Sequence, residues 1–205
     1  MTKVSKIIKE KHKTAKVFGI IISMKRRKAQ IRRYSMKQTI TSKLTANNQI
    51  PMIHKHVDFS KFDSILDFGS GRGRGADYLK SKGSVVFKYD PFWETEEDND
   101  NSLLVFSLGD NVLNKAVICA NVLNVLTDDI LPEVMSELVQ YACTGCTVYV
   151  NVYEKTGTGI PVLTKNGTCY QRCEKTKVYV DKFRQFSGID VDTIHGGKII
   201  VLKRD

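Results

Sequence analysis

Residues Ser64 to Asp90 read SILDFGSGRGRGADYLKSKGSVVFKYD. A short apolar run, Ile65 and Leu66, ends at Asp67, and a turn with Gly69, Gly71, Gly73 and Gly75 follows. Ala76, Tyr78 and Leu79 have helical spacing, and Gly83 stops them before a second apolar run, Val85 to Tyr89, that ends at Asp90. Strand, glycine turn, helix, strand and terminal acid predict one parallel βαβ unit. Glycine allows positive φ and close approach of backbone to a ligand. The following helix aims its free N–H groups at the same place. An acid closing the second strand can accept hydrogen bonds from ribose hydroxyls, and Asp90 lies 19 residues after Gly71, near the expected spacing. The competing reading is a tight turn whose glycines serve packing alone.

Asp67 narrows the ligand. Beside a pyrophosphate it would be repulsive, whereas it suits the ammonium of a methionine moiety, which favours S-adenosylmethionine. D-F-G-S-G-R-G (67–73) resembles motif I of the class I methyltransferases, and Y-D-P (89–91) resembles their acidic second motif. N-V-L-N-V-L (121–126) resembles the fourth motif of a group of small bacterial and phage members. The resemblance spans about residues 51–205. It implies a donor site of Asp67, Gly69, Ser70, Gly71, Gly73, Asp90, Pro91, Asp110 and Asn121, with Asp110 meeting the adenine amino group. It also places Asn121 towards the methyl group. The chain lacks the D/N-P-P-Y/F motif of amino-methylating DNA enzymes and the Pro-Cys motif of cytosine-C5 enzymes.

The strand and helix signals continue in that pattern. Pro51 to Val57 predicts a short helix. Glu94 to Asn101 reads as an acidic loop and Leu103 to Leu108 as a third strand. Ala116 to Ala120 reads as a buried strand, with Asn121 at its carboxyl end, where Asn is also a good helix cap; Asn124 reads as structural. Asp128 and Asp129 are placed to cap a helix over 130–141. A strand over 146–153, a loop over 155–167, a short strand or helix over 168–172 and a helix over 178–186 follow. Residues 189–194 and 198–203 pair as a hairpin through His195-Gly196-Gly197. The fold expected is α/β: a Rossmann-like, doubly wound, mostly parallel sheet with an antiparallel C-terminal strand. The methyltransferase domain covers 49–205, preceded by a basic helical extension over 1–48. Glu154, on the ligand side, is a candidate base for deprotonating an acceptor; a salt-bridged surface Glu is the other reading. Phe92 or Trp93 could cover an adenine face or belong to the core.

Charge divides the chain unevenly. Residues 1–43 hold 14 Lys and Arg against one acid, a net +13, and the remaining 18 against 21 leave −3, within the chain's total of +10. A basic arm on a near-neutral domain suggests a polyanionic partner, nucleic acid above all; a membrane surface, a solvated tail and a docked amphipathic helix are the competing readings. An odd count of five cysteines fits a reducing cytoplasm. The apolar run over 17–24 is short and runs into Lys25-Arg26-Arg27-Lys28, unlike a signal peptide. No run is long enough to span a bilayer. Cys143, Cys146, Cys169 and Cys173 could be zinc ligands by spacing, but the intervening strand separates the pairs by roughly 20 Å, so no metal is expected. His12, His54, His56 and His195 read as surface residues. The function expected is an S-adenosylmethionine-dependent methyltransferase acting on a nucleic acid. A nucleic-acid-binding protein that keeps the fold without turnover and a small-molecule methyltransferase are the alternatives.

Overall fold

The computed structural model describes residues 49–108, 114–164 and 169–205. The basic arm, most of the 44–50 linker, the 48/49 boundary and Asp110 lie outside the described residues. The elements are α1 (Met52–His56), β1 (Ser64–Phe68), α2 (Arg74–Ser81), β2 (Val86–Tyr89), α3 (Glu96–Leu108), β3 (Lys115–Ala120), a 3-10 turn (Leu123–Val125), α4 (Leu131–Cys143), β4 (Thr147–Asn151), β5 (Val162–Thr164), β6 (Cys169–Gln171), α5 (Thr176–Phe183), β7 (Ile189–Ile194) and β8 (Ile199–Arg204).

Six strands form one sheet in the order β2-β1-β3-β4-β8-β7. β1 pairs in parallel with β2 and β3, and β3 with β4. β8 runs antiparallel between β4 and β7. This is the Rossmann-like, doubly wound sheet with an antiparallel C-terminal strand that the sequence predicts. β5 and β6 form a separate antiparallel pair. The chain leaves β1 for β2 on one side and returns to β3 on the other, so the order reverses at β1/β3, where open α/β sheets bind ligands.

The central strands are apolar because both faces are covered. Ile65, Ala116, Ile118, Tyr149, Ile199 and Val201 pack with α1 and α2 through Ile53, Ala76 and Leu79. On the opposite face Phe68 meets Tyr141 of α4, and Phe106 of α3 meets Tyr141 and Phe87 edge-on. β7 begins with buried Ile189 and then alternates exposed and half-buried residues, as an edge strand covered on one face does.

Two expectations between β2 and β4 are corrected. The acidic loop and third strand are instead the single helix α3. Thr95 opens it: the Asp98 N–H donates to Thr95 Oγ1 at 3.1 Å, and the Thr95 hydroxyl donates back to the Asp98 carboxylate at 2.6 Å. Glu96, Glu97 and Asp98 put negative charge at the positive end of the helix dipole. Leu103, Leu104 and Phe106 are buried while Val105 is exposed, which suits a helix seated on the sheet. Asp128 does not cap α4. The N–H groups of Ile130 and Leu131 donate to the Thr127 carbonyl, and Asp128 is drawn away to Arg172.

Candidate ligand site at the carboxyl edge of the sheet

The glycine turn between β1 and α2 is held from β2. The Gly69 and Ser70 N–H groups both donate to the Tyr89 carbonyl, at 2.7 and 3.1 Å, and the Gly73 N–H donates to the Ser70 carbonyl. Gly69, Gly71 and Gly73 all have positive φ, the region other L-residues rarely adopt. At Gly69 a second constraint acts: a Cβ there would lie 2.3 Å from Val122 Cγ2. The turn after β1 and the turn after β3 therefore touch at the point where strand order reverses.

Asp90 closes this half. Its Oδ2 accepts from the Gly71 N–H at 2.8 Å, and its Oδ1 accepts from the N–H groups of Phe92 and Trp93 at 2.8 and 3.1 Å. The residue predicted to bind a ribose thus also ties the glycine turn to the Pro91 turn. Burial pushes the Asp90 carboxyl up from its ordinary value; the three N–H bonds pull the other way, and nearby Glu94 adds to the rise. Asn99 of α3 grips the Asp90 backbone from behind, accepting from its N–H at 2.9 Å and donating to its carbonyl at 3.0 Å. Sequence reading missed Asn99 because it lay in an acidic run taken for a loop; the Thr-x-x-Asp capping pattern over 95–98 was the available signal. Trp93 lies under the Arg72 guanidinium, 5.2 Å from the ring centroid, so the turns after β1 and β2 also meet through side chains.

Asp67 lies within β1, opposite Lys88 of β2 and Ile118 of β3, and is 2% exposed. Its neighbour corrects another expectation: His54, read as a surface residue, is buried, with Nε2 3.4 Å from Asp67 Oδ1. Ser70 Oγ is buried and has no hydrogen-bond partner among the described residues.

On the β3–β4 half, Asn121 stands at the end of β3 with φ 58°. Its N–H donates to the Asn151 carbonyl at 2.8 Å, and its Oδ1 accepts from Asn151 Nδ2 at 3.1 Å. Asn121 is exposed while Asn151 is buried. The positive φ, which Asn tolerates better than most residues, turns the chain out of the strand rather than capping a helix. Asn124 is structural: it donates to Gln171 Oε1 and accepts from the Tyr153 N–H, both at 3.3 Å.

Glu154 is paired, as the salt-bridged reading has it. Its Oε1 accepts from the Thr176 N–H at 2.8 Å and the Thr176 hydroxyl at 2.7 Å, and its Oε2 pairs with Lys198 at 2.9 Å. The bonds from Thr176 hold its carboxyl at about 2, despite some desolvation, with Lys198 assisting. It caps α5 from a distance, and a carboxylate held that low accepts a proton poorly near neutral pH. Arg172, unassigned by sequence reading, is buried: Nε and Nη2 fork onto Glu174 at 3.0 and 3.1 Å, and Nη1 donates to Asp128 at 2.7 Å and to the Leu126 carbonyl at 3.3 Å. It ties the segment after β4 to the turn after β3. In the segment after β4, Tyr153, Ile160 and Leu163 are 59%, 67% and 50% exposed. Cys143 is exposed while Cys146 and Cys173 are buried.

No family model matches the chain, and no curated protein does. Among solved structures, the Burkholderia thailandensis 1,6-didemethyltoxoflavin-N1-methyltransferase with bound 1,6-didemethyltoxoflavin and S-adenosylhomocysteine matches with TM-score 0.47 and 15% identity, over 95% of this chain and 90% of that one. Human N-acetylserotonin methyltransferase in complex with SAM matches with TM-score 0.39 and 19% identity, over 89% of this chain and 55% of that one. At these scores the likeness adds nothing to the fold already shown by the strand order.

Proposed function

We propose that this chain is an S-adenosylmethionine-dependent methyltransferase whose acceptor is a small, largely apolar molecule. One observation carries the donor reading: a turn of three positive-φ glycines at the switch point, locked by Asp90, with the buried Ser70 Oγ left without a partner among the described residues. A buried hydroxyl without a partner is costly, so the protein's own described groups leave the turn incompletely satisfied. Gly69, Gly71 and Gly73 would admit the donor's backbone-hugging part, Asp90 would accept from its ribose, and Asp67 would supply negative charge beneath the turn. S-adenosylmethionine, when bound, supplies a methyl group on a positively charged sulfur. This chain's residues then have to orient the acceptor and exclude water. Asn121 is exposed and its Oδ1 is held by Asn151, so its side-chain N–H would be the group to meet an acceptor's oxygen or ring nitrogen. Tyr153, Ile160 and Leu163, exposed large hydrophobic residues of the segment after β4, would offer that acceptor apolar surface.

The test is calorimetry with S-adenosylmethionine and S-adenosylhomocysteine, then transfer of labelled methyl to a panel of aromatic hydroxy, amino and N-heterocyclic compounds, with DNA and RNA in parallel. Heat with neither ligand at millimolar concentration sinks the donor reading. Binding without transfer to any acceptor favours a fold kept for binding alone. A nucleic-acid acceptor is the second reading, favoured by the +13 charge of residues 1–43. It requires labelled nucleic acid, and nucleic-acid binding that weakens steeply with salt and loses that slope when the arm is removed.

A further inference from the structure

His54 is the buried group that the site leaves without a task. Its side chain is 1% exposed, and neither ring nitrogen has a hydrogen-bond partner among the described residues. An imidazole out of water with both nitrogens unpaired is costly, so its retention there asks for a reason. The surroundings are shaped around it. A Cβ on Gly75, in the first turn of α2, would lie 2.2 Å from His54 Nε2 and 2.5 Å from Cε1. Gly75 has no need of positive φ, so its missing side chain serves the imidazole rather than the turn. The same Nε2 faces Asp67 Oδ1 at 3.4 Å without meeting hydrogen-bond geometry.

We propose that His54 is a positioning residue for Asp67: its imidazole stands against one carboxylate oxygen, at 3.4 Å, and pairs with it when the donor is bound, leaving the other oxygen to act on the ammonium of the donor's amino-acid part. This rests on the donor reading above. α1 and β1 are joined by the loop through Phe59 and Phe62, both buried in the core, which fixes the ring's approach to the strand. The glycine run thus has two uses. Gly69, Gly71 and Gly73 shape the turn, and Gly75 makes room for a side chain from an earlier helix.

The experiment compares S-adenosylhomocysteine with 5′-methylthioadenosine, which lacks the amino-acid part, in wild type, in the double variant His54→Ala/Gly75→Ala, and in His54→Gln. The methyl at position 75 refills only part of the space the imidazole leaves, and the remaining packing loss weighs on both ligands alike. In the double variant the S-adenosylhomocysteine affinity should fall roughly tenfold or more beyond any fall for methylthioadenosine, the scale of losing a hydrogen bond to a charged group. His54→Gln, which keeps an N–H near Asp67, should recover most of the loss. Equal losses for both ligands, or none for either, overturn the proposal and leave His54 a packing residue. If wild type binds neither ligand, the donor reading itself fails and this proposal falls with it. If wild type binds methylthioadenosine as tightly as S-adenosylhomocysteine, the donor reading survives and the role of His54 does not.

Discussion

Asp90 and Arg172 are both buried charges at the carboxyl edge of the sheet, 6% and 5% exposed, and they are satisfied in opposite ways. Asp90 accepts from main-chain N–H groups of the two turns beside it, those of Gly71, Phe92 and Trp93. Arg172 is held by side chains and a carbonyl drawn from separate segments: Glu174, Asp128 and the Leu126 carbonyl. On the β1–β2 half main-chain N–H groups and one carboxylate hold the turns together, and on the proposed reading that main chain is what meets the donor. On the β3–β4 half the main chain is only a frame. Asn121 and, in the segment after β4, Tyr153, Ile160 and Leu163 are exposed, and among the described residues the Asn121–Asn151 bond is the side-chain tie from them to that frame. This suits a division in which one half keeps a constant donor and the other adapts to an acceptor.

The comparison breaks most visibly at Arg172. Arg172→Ala should cost about 3–5 kcal/mol of stability, the range for removing one partner of a buried ion pair, with donor affinity in the folded fraction unchanged. Denaturant unfolding with calorimetry in parallel checks both. A stable variant would mean that Lys182, 3.2 Å from Glu174, satisfies that carboxylate alone. Asp90→Ala should show the reverse balance: a loss of about 2–3 kcal/mol in stability, since relief of a buried charge offsets part of three N–H bonds, together with loss of measurable donor binding. If affinity survives in folded protein, Asp90 is only a brace.

Gly69→Ala probes the seam between the halves. Its positive φ and the contact with Val122 together should cost about 2 kcal/mol, and adding Val122→Ala should restore part of the packing share but none of the backbone share. A melting-temperature cycle over the two single variants and the double variant reads this directly.

The smallest effect sharpens the assignment of Glu154. Its carboxyl sits at about 2 in the fold against an ordinary 4.5. A depressed carboxyl contributes stability that is present above its unfolded value and lost as the fold protonates. Wild type should therefore lose more stability than Glu154→Gln between about pH 4.5 and 2, with the two converging at the acid end. At neutral pH, methyl transfer by Glu154→Gln should persist; its loss in a folded variant would return Glu154 to the chemistry.

Local order was legible in the chain itself. The βαβ unit over 64–90 depends on apolar runs, glycines and a terminal acid within 27 residues, and neighbours in sequence determine such a unit. β7 and β8 were equally plain, because a His-Gly-Gly turn joins them. The helix over 96–108 was misread because its apolar end, Leu-Leu-Val-Phe, suits a strand as well as a helix. The cap at Thr95 and the sheet face beneath decide between them.

Tertiary structure alone decided the rest. Burial of His54 beside Asp67 depends on α1 folding back beneath a glycine that lies 21 residues later, a distance no periodicity reports. The fate of Glu154 depended on where Thr176 and Lys198 would stand, and that of Asp128 on Arg172, 44 residues away. Sequence spacing identifies which residues are able to ionise or donate. Which of them stay available for chemistry is decided by the partners that the fold brings within hydrogen-bond reach, because a carboxylate already satisfied by a helix end or a guanidinium has little left to offer a substrate.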